Sequence, residues 1–170
     1  VRHIVGVQLR NLATVGGSIY SRFGFSDVLT MFLALNASVE LYKGGVVPLA
    51  EYAQRPYDRD ILVRVLVPKE NARFVYQSVR NSQTDFPVLT CAAAKLADGS
   101  IRAAIGARPG KAVLYTAAPE AGETAEEFAA RFAAEVKADI KTESNLRGGA
   151  EYRRHLAGVL TKRAVCRLEG

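Results

Sequence analysis

The sequence predicts an α+β fold, and three observations carry that expectation. Short apolar runs of strand length fill the first two thirds, clearest at residues 61–67 (ILVRVLV), 88–96 (VLTCAAAKL) and 101–107 (IRAAIGA). An Asp98-Gly99 pair between the last two is a hairpin signal. Two long helical patterns then close the chain. Strands followed by helices, without alternation, favour α+β over α/β and imply a small antiparallel sheet packed with C-terminal helices.

Taken in order, residues 1–9 (VRHIVGVQL) alternate and then run apolar, which predicts a strand. The strand should enter a loop centred on Ala13-Thr14-Val15-Gly16-Gly17-Ser18. Adjacent glycines admit positive φ and let a group approach the main chain closely. Successive amides in such a turn can converge on an anion, and a diphosphate is a natural guest. On local chemistry alone, a plain turn between two strands is the commoner reading. Asp27 directly precedes the apolar run 28–36 (VLTMFLALN), so it reads as an N-cap, with Asn36 ending the helix in a left-handed conformation.

Residues 38–42 (SVELY) alternate as a strand, Lys43-Gly44-Gly45 is a hairpin turn, and 46–49 return as an edge strand limited by Pro48. This second Gly-Gly pair, without Ala-Thr before it or Asp after it, is a turn only. Residues 50–60 read as a polar connection, and 61–67 as a strand closed by Pro68. Pro68-Lys69-Glu70-Asn71 is the expected boundary between parts 1–68 and 69–170. Beyond it, 72–79, 88–96, 101–107 and 112–117 are expected strands, the last at an edge. Thr124 with Glu127 forms a capping box. Phe128, Phe132, Val136 and Ile140 then mark one apolar helical face. The last helix, 150–166, should bury Tyr152, Leu156, Val159, Leu160 and Val165.

Composition removes several function classes. The 170 residues are 49% hydrophobic and 24% charged, ordinary for a globular chain that can bury a core. No apolar run approaches the roughly 18–20 residues that span a bilayer. Cys91 and Cys166 form no metal-binding spacing and read as reduced, partly buried thiols, in keeping with a cytoplasmic protein. Two thiols cannot hold an iron–sulfur cluster, which needs about four. His3 and His155 alone make no zinc site. The net charge of +6 is spread along the chain without interleaved aromatics, which argues against nucleic acid as a partner.

The string Arg10-Asn11, Ala13-Thr14, Gly16-Gly17-Ser18 and then Asp27 resembles the second flavin-binding loop of the FAD-binding (medium) subunit of molybdopterin hydroxylases, the xanthine dehydrogenase and carbon monoxide dehydrogenase group. The likeness runs on through Asp85 and the segment 144–152 (SNLRGGAEY), so it covers nearly the whole chain. It implies that residues 1–68 are the second half of an FAD-binding domain and 69–170 a C-terminal α+β domain of the carbon monoxide dehydrogenase flavoprotein type. It implies Thr14, Val15, Gly16, Gly17 and Ser18 at the diphosphate, Asp27 at the adenosine ribose, and Ile19 and Leu62 near the flavin ring. A carboxylate suits a vicinal diol, but the capping role of Asp27 competes for the same oxygens, and the local pattern by itself favours strand core for Leu62. Gln77 falls where the family often has a lysine facing the flavin, and Ser18 where many members have Asn.

The family also carries an earlier glycine-rich nucleotide-binding loop, so the chain looks like the C-terminal part of a longer subunit that the missing N-terminal part would complete. The implied function is electron transfer. FAD would stand between iron–sulfur clusters in one partner subunit, fed by a molybdopterin-binding subunit, and NAD or another acceptor. No general acid or base is assigned. The competing reading makes residues 69–170 a non-catalytic docking module for partner subunits, since they hold no catalytic constellation.

Overall fold

The computed structural model describes residues 3–69 and 72–170. The chain runs α1 (Val7–Leu12), α2 (Val15–Tyr20), α3 (Asp27–Ala34), β1 (Ser38–Leu41), β2 (Gly45–Pro48), α4 (Leu49–Gln54) and β3 (Leu62–Leu66). It continues with β4 (Arg73–Val79), β5 (Leu89–Lys95), β6 (Ile101–Gly106), β7 (Val113–Ala117), α5 (Ala125–Asp139) and α6 (Ala150–Glu169). The expected α+β class holds. One antiparallel sheet has the order β2-β1-β3 and the other β4-β5-β6-β7.

The four-stranded sheet is the middle layer. Side chains alternate across a strand, and the two faces of β5 and β6 serve different cores. Cys91, Ala93, Ala103 and Ile105 pack under α5 and α6 with Phe128, Phe132, Leu156 and Leu160. Ala92, Ala94 and Ala104 face the first half with Leu29, Leu33 and Val39. Alanines on both faces let helices come close on both sides. α3 comes close at Gly106, where a Cβ would lie 2.4 Å from Thr30 Oγ1 and 2.5 Å from Thr90 Oγ1. Those two hydroxyls hydrogen-bond at 3.2 Å and tie α3 to the sheet.

Most local signals are realised. Gly45 and Gly99 take positive φ in their turns, and Asn36 ends α3 at φ 55. The Thr124–Glu127 capping box forms reciprocally, and Phe128, Phe132, Val136 and Ile140 are buried. β2 and β7 are edge strands.

Four expectations fail. Val1 and Arg2, at the head of the expected first strand, lie outside the described residues. The rest of that run turns at Val5 (φ 48) and enters α1. Arg10 Nη1 donates to the carbonyls of Ile4 (2.9 Å) and Val5 (2.6 Å), which holds the chain bent instead of extended. Residues 50–60 are not only a connection, because Leu49, Tyr52 and Ala53 are spaced to bury one face of α4. On α6, Leu156, Leu160 and Val165 are buried as expected and Val159 is half-buried, but at the start of the helix Tyr152 is exposed and Arg153 fully buried. Arg153 donates to the carbonyls of Val88 (2.9 Å), Glu143 (2.6 Å) and Gly148 (2.6 Å), so polar capture of a loop outweighs the aromatic. Cys91 is buried, which pushes its thiol up to about 12, but Cys166 is exposed. Of the expected boundary, Glu70 and Asn71 lie outside the described residues.

Candidate functional site

Thr14 has extended backbone angles and caps α2, its Oγ1 accepting from Gly17 N at 2.9 Å. Its carbonyl accepts from Ser18 N (3.0 Å) and Ser18 Oγ (2.9 Å). Gly16 and Gly17 therefore sit in the first helical turn and not in the positive-φ turn that two adjacent glycines suggest. The cap itself needs one of them, since a Cβ on Gly17 would meet Thr14 Oγ1 at 2.9 Å. A Cβ on Gly16 would meet nothing within 4 Å. The amides of Val15 and Gly16 have no acceptor among the described residues, and no acidic residue lies in this turn. Free amides and the positive end of a helix without a nearby carboxylate suit an anion.

Thr14, Gly17 and Ser18 open onto a groove of about 530 Å³. Leu9 and Leu12 of α1, with Phe23, Phe25, Asp27 and Phe86, also line it. Phe23 and Phe25 stack at 5.1 Å, and Phe86 meets Phe25 edge-on at 4.9 Å. The sequence reading does not single out these aromatics. A signal for the exposed pair is there, two Phe in a glycine-containing loop with no helical or strand period to bury them.

Asp27 is not the cap of α3. Ser26 is, through Leu29 N at 3.2 Å, and Ser26 Oγ also donates to Ser18 O at 3.1 Å, joining α2 to α3. Asp27 is the first residue of α3, buried, with Oδ1 accepting from the Tyr76 hydroxyl and from Arg80 Nη2. Burial first, and then this carboxylate, push the Tyr76 phenol far above its ordinary value. Tyr76 and Gln77 are neighbours on β4 and so point to opposite faces. Gln77 turns to α6, Nε2 donating to Leu160 O at 3.4 Å, so it does not face the groove as its position in the family pattern suggested.

The remaining expected residues are dispersed. Val15 is half-exposed on α2, while Ile19 is fully buried in the core of the first half. Leu62 is half-buried on the other side of α2, where with Gly16, Gly17, Tyr20 and Asp60 it lines a hollow of about 430 Å³. Arg22 follows α2 closely and is packed inward. It adopts φ 51, is buried against the Tyr52 ring at 4.0 Å, and donates to Pro56 O at 2.9 Å. Asp60 in turn accepts from the amides of Lys43 (2.9 Å) and Gly44 (2.8 Å), which holds its carboxyl below the usual range. Asp85 accepts from Arg147 Nε (3.1 Å) and Nη2 (3.0 Å), and this pairing lowers its pKa. Among the described residues no group of His, Cys, Asp and Glu could hold a metal, and no helix is long and apolar enough to cross a membrane.

Residues 1–70 match the FAD binding domain in molybdopterin dehydrogenase, and residues 74–168 match the CO dehydrogenase flavoprotein C-terminal domain. The chain belongs to this flavoprotein family. The uncharacterized protein YgfM of Escherichia coli is 27% identical over 153 residues, 90% of this chain and 57% of its own length. Solved structures show the same fold. Carbon monoxide dehydrogenase from Hydrogenophaga pseudoflava superposes with a TM-score of 0.82 at 23% identity, over 98% of this chain and 64% of that one. The enzyme from Oligotropha carboxidovorans gives 0.83 at 21%, over 99% and 65%. Quinoline 2-oxidoreductase from Pseudomonas putida gives 0.79 at 20%, over 98% and 64%. The chain thus spans just over half to two thirds of the relatives it matches.

Proposed function

We propose that this flavoprotein-family chain is part of the FAD-carrying electron-transfer subunit of a molybdenum hydroxylase of the carbon monoxide and xanthine dehydrogenase type. It would stand in the cytoplasm between the iron–sulfur clusters of one partner, fed by a molybdopterin subunit, and NAD or another acceptor. The observation that carries the reading is that Thr14, Gly17 and Ser18, at the acid-free, glycine-bearing start of α2, line the same groove as Asp27.

The residues present fit FAD. Thr14, Val15, Gly16, Gly17 and Ser18 would hold the diphosphate with backbone amides and hydroxyls. Asp27 supplies an acceptor for the ribose. Phe23, Phe25 and Phe86 offer ring faces on which a planar heterocycle can stack. On the other side of α2, Leu62 would pack near the flavin ring, and Ile19 would support the helix from within the core. When bound, FAD supplies the redox chemistry, and the chain's part is to bind, orient and exclude water.

The test is the visible absorption of the longest natural form of the chain, purified after addition of FAD, compared with its Gly16→Ala variant. Flavin bands are expected in the first. The variant should keep its thermal midpoint within about 2 °C, because Ala is the better helix former and meets no neighbour. Its FAD affinity should nonetheless fall about tenfold, roughly 1.4 kcal/mol, because a methyl group there blocks close approach to the main chain. Absence of flavin from the unmodified protein at saturating FAD would sink the reading.

Residues 69–170 as a docking module have one observation in their favour. Leu146 is fully exposed at the tip of the loop before α6. A Leu146→Asp variant that loses partner subunits while keeping flavin would support that role alongside the first.

A further inference from the structure

The carboxylate that reaches the groove is held from the other half of the chain. Asp27 belongs to α3, but the two side chains that grip it, Tyr76 and Arg80, lie on β4 and just past its end. Asp27 and Arg80 are almost fully buried, with side chains 3% and 8% exposed. Arg80 has little freedom to move, since its Nη1 also donates to Asp85 O at 2.8 Å. Both donors converge on one oxygen, Oδ1. Oδ2 has no partner among the described residues, and Asp27 lines the groove. Ser26 caps α3, so the helix makes no demand on the carboxylate. An ionised carboxyl has about four acceptor sites. Two are used by the protein, and those of the other oxygen are available to a ligand.

We propose that Tyr76 and Arg80 are positioning residues of the nucleotide site. They hold the Asp27 carboxylate in one rotamer with Oδ2 presented to the groove, as an acceptor for the vicinal hydroxyls of a ribose. The C-terminal half thereby sets the selectivity of a site whose other contacts come from the N-terminal half. This rests on the flavin reading above. Removing either donor lets the carboxylate turn and lowers discrimination for the diol, without touching the contacts of the rest of the ligand.

The experiment measures the affinity of the longest natural form of the chain for FAD and for its 2′,3′-dideoxyadenosine analogue. The unmodified protein should prefer FAD at least tenfold. In Tyr76→Phe, which keeps the ring and removes one oxygen, the preference should shrink to about threefold or less while the analogue binds as before. Arg80→Lys, which keeps the charge but not the two-pronged geometry, should shrink it likewise. A merely structural role would lower both affinities together and leave their ratio unchanged, and that result overturns the proposal while the flavin reading stands. A preference absent from the unmodified protein overturns it too. Failure of the unmodified protein to bind either compound removes the flavin reading, and this inference with it. Thermal midpoints of the variants separate loss of fold from loss of selectivity.

Discussion

The two halves bury their apolar residues very differently. Residues 72–170 enclose a complete core between the sheet β4–β7 and the helices α5 and α6, with Phe128, Phe132, Ile105 and Leu168 all at or below 1% exposure. Residues 3–69 leave Leu12 at 85%, Ile61 at 66% and Val63 at 49%, and α1 buries nothing. Yet every element of the candidate diphosphate site lies in this less enclosed half. Stability and function are divided between the halves, and the second lends its sheet face to the first through Ala92, Ala94 and Ala104.

That division can be broken from either side. The largest effect is expected from Phe132→Ala. Removing a fully packed ring should cost about 3–5 kcal/mol, read as a lower urea midpoint for the whole chain. A loss under about 1 kcal/mol would mean that the second half is not the main store of stability. Next, Gly106→Val strikes the seam. Its Cβ would collide with both threonine hydroxyls and lie 2.9 Å from Gly24 O. A cost of about 1–3 kcal/mol is expected. Hydrogen exchange should rise in α3 and not in α5 or α6, and a rise spread evenly over both halves would erase the distinction between them.

The smallest effect concerns pH. Glu123 accepts from Arg131 Nε (2.8 Å) and Nη2 (2.9 Å), which holds its carboxyl down to about 2, below its ordinary 4.5. A depressed folded value means that its contribution is complete above about 4.5 and is lost as pH falls toward 2. Glu123→Gln should therefore have a lower midpoint than the parent at pH 7, and the gap should close between pH 4.5 and 2. A gap constant over that window would show that the carboxylate's charge does not matter.

Several parts of the candidate site are legible in the amino-acid sequence. Thr14, Gly17 and Ser18 do meet at one groove, and Asp27 reaches the same groove. Conformation is what misleads. A Gly-Gly pair reads as a turn because glycine tolerates positive φ, but here the pair opens a helix because Thr14 is placed to cap it. Asp27 reads as a cap because it precedes an apolar run, but Ser26 is one residue better placed. Gln77 and Tyr76 differ by one position, and in a strand one position is the opposite face. Arg153 leaves no sign of burial in the helical pattern, because its partners are the carbonyl of Val88, 65 residues away, and two carbonyls of the loop before α6.

By itself the sequence determined whatever depends on neighbours a few residues away. That includes the strand alternation, the turns at Gly45 and Gly99, the capping box at Thr124 and the apolar face of α5. Those features rest on backbone preference and on side chains three or four positions apart, which any window of the chain contains. The tertiary structure decided the rest: that Arg153 and not Tyr152 is buried at the start of α6, which half of the chain holds Asp27, and that Arg22 stacks on Tyr52. Such contacts join distant parts of the chain, as with Asp27 and Tyr76 at a separation of 49. Their energy depends on burial and on converging donors, and neither exists until the sheet β4–β7 has brought the two halves together.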